Sequence, residues 1–227
     1  MISLSKGQTP GWIRDHGPEE TAKYEAAPEG SKPRIWHRED IIAALKLETG
    51  SKCMYCESFV EAVSYLTVEH IMPKSRFPEL ALAWDNLGLC CPRCNTNKGS
   101  YWTDDANLLV LNPFTDNVDE HIQFIGPMVV SKHESKRAEN TIRKLRLAAR
   151  DDLFIARARR IQELDTYLLR WLREPRKLYK ELYAEDIFGM ISRESEYSGA
   201  LRAYAETRGF AFSSVPAPSS DAMPEAE

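Results

Sequence analysis

The sequence predicts an α+β protein: a small two-stranded core clipped by four cysteines, followed by a mainly α-helical C-terminal region. Three observations carry this expectation. Two short cysteine pairs, Cys53-Met54-Tyr55-Cys56 and Cys91-Pro92-Arg93-Cys94, bracket a Glu69-His70 step. Between the pairs, short runs such as Leu66-Thr67-Val68-Glu69-His70-Ile71 have the alternating, β-branched look of strands. Beyond Ser131 the apolar residues recur at three- and four-residue steps, the signature of amphipathic helices.

Residues 1–34 are rich in Pro, Gly and charge, with Trp12 and Ile13 as local anchors, and read as an irregular N-terminal arm. A core of residues 35–130 follows. It opens with a helix from about His37 to Thr49, striped by Ile41, Ile42 and Leu45 and stopped by Gly50. Cys53–Cys56 forms a knuckle, the 66–71 strand ends before Pro73, and Trp84-Asp85-Asn86-Leu87 opens a second strand. A helix starts near Cys94-Asn95. A second hairpin joins 121–125 to 128–130 across Gly126-Pro127.

The region 131–211 is helical. Ser131 or Ser135 caps one helix, and Asp151 or Asp152 caps a longer one reaching Arg173 before Pro175. Further helices are expected at about 176–184 and 196–207. Residues 212–227, poor in apolar side chains, read as a disordered tail.

Bulk properties narrow the function classes. The apolar fraction is 43% and the charged fraction 28%, ordinary for a globular protein. No stretch approaches the roughly 20 apolar residues that span a bilayer, so no membrane partner is expected. The start lacks an apolar export signal, and the cytoplasm is the expected location. The net charge of −4 is unevenly spread. Fifteen Lys/Arg face seven Asp/Glu between Lys132 and Lys180, a local excess of +8 that fits either a basic face for phosphates or a solvated helix surface. The Arg157, Arg159, Arg160 cluster belongs to this stretch.

The cysteines point to a metal. All five lie between Cys53 and Cys94, unlike a dispersed disulfide framework. Two Cys-x-x-Cys pairs read as a structural Zn²⁺ site, because each two-residue gap lets both sulfurs of a knuckle reach one ion. Cys90 can replace Cys91 as a ligand, but Cys91 alone keeps the gap to Cys94. Cys90 reads instead as a buried thiol ending a strand.

The clip gathers a carboxylate, an imidazole and carboxamides. Hydrolysis of a phosphodiester needs water activation, which a neutral imidazole supplies, and charge stabilisation, which a divalent cation supplies. Glu69 beside His70 offers both kinds of group, provided a bend turns two successive strand side chains to one phosphate.

These residues resemble the HNH endonucleases, whose ββα-metal site often carries zinc-binding cysteine pairs. Glu69-His70 matches the first motif, Asn86 the middle Asn, and Asn95 in Cys94-Asn95-Thr96-Asn97-Lys98-Gly99 the third. The resemblance implies a ββα-metal core in which His70 is the general base and Glu69 and Asn95 hold a catalytic Mg²⁺ or Mn²⁺. It further implies that Asn86 braces the loop and that Cys53, Cys56, Cys91 and Cys94 hold structural zinc. Glu stands where Asp is commoner, and Asn97 rivals Asn95 as third ligand. Lys74, Arg76 and Lys98 are candidate phosphate contacts.

The order of Pro10-Gly11-Trp12, the HNH core, Asn112-Pro113-Phe114, His121-Ile122-x-Phe124 and a helical tail narrows the resemblance. It is similar to the HNH proteins that accompany an ABC-type ATPase in anti-phage Septu operons and some retron systems. That likeness implies a defence nuclease with an ATPase partner or a retron RNA/DNA complex, DNA being the favoured substrate. Two other readings stand beside it: an RNA-cleaving (tRNA) toxin, and a non-catalytic zinc module binding nucleic acid or protein.

Overall fold

The computed structural model describes residues 1–59, 65 and 67–210; the tail expected over 212–227 lies outside these residues. The centre is an antiparallel pair, β1 (Thr67–His70) and β2 (Leu87–Cys90), followed directly by helix α3 (Pro92–Lys98). The register sets Thr67 opposite Cys90, Val68 opposite Leu89, Glu69 opposite Gly88 and His70 opposite Leu87. Two four-residue strands cannot hold together alone in water. They are held by a core on each side and by the knuckle, whose Met54 N–H donates to Leu89 O at 2.9 Å. Gly88 is required there, since a Cβ would fall 2.2 Å from Met54 Sδ.

One core faces the N-terminal helices, α1 (Gly11–Ala26) and α2 (Glu39–Thr49). Ile13, Tyr24, Trp36, Ile41 and Leu45 pack there against Val68, Trp84, Leu87 and Leu89. α2 follows its predicted stripe, with Ile41, Leu45 and Thr49 buried and Gly50 closing it in the left-handed region at φ 62°.

The arm is the main correction. Residues 11–26 form a helix rather than an irregular stretch. Proline and glycine content suggested otherwise, but Glu, Lys and Ala are good helix formers and Pro18 is accommodated inside. Ile13, Gly17 and Tyr24 are its buried residues, a seam too narrow to register as amphipathic. Lys23 pairs with Glu19 at 2.9 Å and Glu20 at 2.7 Å on the outer face. Residues 1–9 then cross the core without regular structure. The Met1 ammonium lies buried 2.7 Å from Glu57 Oε1, and Lys6 donates to Glu48 and to Leu87 O.

The other core joins the clip to the C-terminal region: Met54, Tyr55 and the cysteines pack with Leu111, Val129, Leu145, Leu147, Leu153, Tyr197 and Ala200. The short helix α4 (Val118–His121) leads into a hairpin of β3 (Ile122–Ile125) and β4 (Met128–Ser131), close to expectation. α5 (Lys136–Lys144) is capped by Ser135, whose Oγ accepts from Ala138 N. α6 (Asp151–Arg173) starts from Arg150 without a side-chain cap; Asp151 and Asp152 occupy its first turn, where carboxylates complement the helix dipole. α7 (Lys177–Ile191) runs seven residues beyond its expected end, and with α8 (Ser198–Thr207) it closes a third core on α6. Among the described residues no helix is long and apolar enough to cross a membrane.

Candidate active site

Cys53, Cys56, Cys91 and Cys94 bring their sulfurs within 4.8 Å of one another, a group able to hold a metal ion. Local structure forces the gathering. The 53–56 turn runs beside β2, and Cys91 is the N-cap of α3, its sulfur accepting from Cys94 N–H at 3.4 Å. Arg150 reaches Cys94 Sγ at 3.5 Å, placing a cation beside a group that gains negative charge as thiolates form. Cys90 is a buried thiol 3.8 Å from Cys53 Sγ and near Cys91 O, outside the set of four mutually close sulfurs, and burial pushes its pKa well up.

Glu69 and His70, neighbours at the end of β1, both line one cavity of about 560 Å³ together with Asn95 of α3. His70 ends the strand, and the turn after it resolves the alternation problem. Its Nε2 lies 3.1 Å from Ala81 O. A carbonyl can only accept, so Nε2 carries the hydrogen and Nδ1 keeps its lone pair. Trp36 packs edge-on against the ring at 4.5 Å between centroids. Burial, reinforced by Lys74, holds the imidazole pKa down at about 3, so the ring is neutral at physiological pH.

Glu69 is 1% exposed. Lys98 Nζ sits 2.6 Å from its Oε1 and also donates to His70 O at 2.9 Å; Tyr55 OH donates to the same Oε1 at 3.4 Å. Burial raises the carboxyl pKa, opposed by Lys98 and Tyr55. Lys98 was expected as a phosphate contact on the surface, yet it is 4% exposed and engaged with Glu69. Helical spacing explains this. Lys98 follows Cys94 by one turn, on the face of α3 that meets β1.

The same spacing separates the rival asparagines. Asn95 lines the cavity, whereas Asn97 donates to Leu145 O at 3.1 Å and ties α3 to the C-terminal region. Asn86 is buried and staples the loop after His70: its Oδ1 accepts from Met72 N at 2.7 Å, and its Nδ2 donates to Met72 O at 3.0 Å and Leu80 O at 3.1 Å. Lys74 lines the cavity. Arg76 is exposed, donates to Trp102 O and is not among the lining residues.

Sequence reasoning missed Tyr55, the Ala81 carbonyl and the wall made by Tyr24 and Lys32. A tyrosine inside a knuckle was a usable signal; a backbone carbonyl left none. The arginine cluster on α6 also separates. Arg157 is buried and donates to Pro127 O and Leu147 O, while Arg160 pairs with Glu163. This accounts for the break in that helix's apolar stripe.

The HNH endonuclease family matches residues 53–101, which span the cysteine clip, the β1–β2 pair and α3. The chain is 32% identical over 124 residues to Septu protein PtuB of Bacillus thuringiensis, covering 54% of this chain and 47% of that protein. It is 30% identical over 142 residues to Septu protein PtuB of Bacillus mycoides strain KBAB4, covering 50% and 48%. The chain spans about half the length of these curated relatives. Residues 53–101 thus match the HNH endonuclease family, in a chain that resembles the Septu PtuB proteins along about half its length.

Proposed function

We propose that the protein is a metal-dependent endonuclease hydrolysing phosphodiester bonds in DNA. The observation that carries this is the setting of His70: its Nε2–H is committed to Ala81 O, its ring is neutral, and Glu69 and Asn95 share its cavity. Nδ1, which makes no hydrogen bond among the described residues, takes a proton from water. The water oxygen bonds to phosphorus while the opposite P–O ester bond breaks, and the leaving oxygen is protonated from solvent. Asn86 keeps the loop after His70 in place, and Trp36 limits rotation of the ring.

Glu69 and Asn95 offer hard oxygen donors of the kind that suit Mg²⁺ or Mn²⁺, and Glu69 Oε2 makes no hydrogen bond among the described residues. These two residues would hold the cation, whose chemistry when bound is to stabilise charge on the phosphate and leaving oxygen. For the clip the reading is structural zinc. Zn–S bonds of about 2.3 Å in a tetrahedron set sulfurs about 3.8 Å apart. The Cys56–Cys91 distance is 3.8 Å.

The likeness to Septu proteins supports a role in anti-phage defence, with an ABC-type ATPase as partner. A retron RNA/DNA complex is the partner in the related reading. The test mixes purified protein with plasmid DNA and a tRNA pool, with and without Mg²⁺ or Mn²⁺ and the ATPase. Cation-dependent plasmid cutting that disappears in His70→Ala supports the proposal. Cutting of tRNA alone turns the substrate to RNA. Inactivity under every condition leaves a zinc-held binding module.

A further inference from the structure

The cavity holding Glu69 and His70 continues into a second one of about 490 Å³, the two sharing Tyr24, Lys32, Val68, Lys74 and Asn95. Together they make one trough. Its far end carries Arg34, His37 and Tyr65. One wall therefore comes from the end of α1 and the 27–37 stretch, outside the HNH domain.

This wall is cationic and underpaired. The Arg34 guanidinium has no ion pair among the described residues, and neither does the Lys74 ammonium that faces the wall from within the HNH match. Lys32 has Glu29 at 3.3 Å, but Glu29 is 79% exposed, so that pair is weak. Lys74 lies over Trp36 at 4.9 Å, and Trp36 in turn touches the His70 ring. The wall thus contacts the catalytic imidazole while presenting cations along the trough. Such a line of charge with few counter-ions suits a polyanion whose phosphates repeat along a strand.

We propose that residues 24–37 form the substrate-positioning wall of the nuclease, with Lys32 and Arg34 holding the backbone phosphates next to the one at His70. This rests on the nuclease reading for which phosphate is cut. Phosphate contacts of this kind fix register and carry no base preference. The wall therefore sets affinity and orientation, and the site needs residues that its own domain does not contain.

The test uses the full chain with His70→Ala, which binds without cutting, and labelled DNA duplex, single-stranded DNA and RNA of one sequence. Lys32→Ala with Arg34→Ala should weaken binding on the order of tenfold at low salt. It should also reduce the slope of log affinity against log salt by about two, one per lost contact. Lys32→Arg with Arg34→Lys should restore both, which a folding defect would not. Unchanged affinity and slope, or a parent that binds none of the three probes, overturns the proposal. Cleavage by the protein with His70 intact is scored separately. Cutting with an unaltered slope removes the wall and keeps the nuclease; weakened binding without any cutting does the reverse.

Discussion

Lys98 Nζ lies 2.6 Å from Glu69 Oε1, and both side chains are only 2% exposed. The pair joins α3 to β1 and holds the carboxylate in one position. Taking two charges out of water is costly, so the pair is weak evidence for net stability. Removing one partner is different, because the other is left buried and uncompensated. Lys98→Met is expected to lose about 3–5 kcal/mol, read from denaturant midpoints. Adding Glu69→Gln should recover part of that loss. A Lys98→Met protein as stable as the parent would show that the pair does not form.

His70 gives a pH signature. Its folded pKa of about 3 lies below the usual 6.5, so the base form persists well into acid. The cleavage rate should show no limb at 6.5 and should fall only as pH drops toward 3 or the fold gives way. Stability carries the matching sign: the unfolded chain binds the extra proton between about 6.5 and 3, so stability falls as pH drops through that window. His70→Gln should remove this part of the acid sensitivity and cut the rate by on the order of 10²–10⁴. A limb centred at 6.5 in the cleavage profile would assign the base elsewhere.

The clip is checked by metal content. One zinc per chain is expected, lost in Cys56→Ser together with cooperative unfolding of the core, since structural zinc contributes on the order of 10 kcal/mol in small sites. Cys90→Ala is the control. Cys90 stands outside the four-sulfur group, so its variant should keep the metal and lose only about 1–2 kcal/mol of packing. Loss of zinc in both variants would contradict the assignment.

Asn86→Ala removes three hydrogen bonds and leaves the part-buried Met72 N–H and carbonyl without this partner, while Leu80 O keeps the Ala83 N–H. A cost of about 1–3 kcal/mol is expected. The loop behind His70 should loosen, so kcat should fall while KM changes little. A KM effect without a kcat effect would mean that Asn86 serves binding rather than positioning.

Much of this was legible in the chain. α2, the 122–131 hairpin and α6 declare themselves because local signals agree: a stripe with Gly50, a Gly126-Pro127 turn, and long helical periodicity. α1 was hidden because its Pro18 and two glycines outvoted its helix formers. The four cysteines gather as their spacing implied, and Glu69, His70 and Asn95 line one cavity. The burial of Lys98 and Arg157 did not show, because a charge reads as surface until its partner is known, and Glu69, Pro127 O and Leu147 O lie far off in sequence. The trough wall was hidden for the same reason: Tyr24 and Lys32 meet Asn95 only in the folded chain.

The contacts of α3 have a consequence for dissecting the molecule. Asn97 leans on Leu145 O, Cys94 on Arg150, and Arg93 on Asp152 at 2.8 Å, so the helix bearing Asn95 rests on the region beyond residue 131. A fragment truncated at that boundary would bare Cys94 and the apolar side chains around it to water. The HNH match is a unit of sequence ancestry, whereas the contacts that hold its last helix come in part from the helices that follow it.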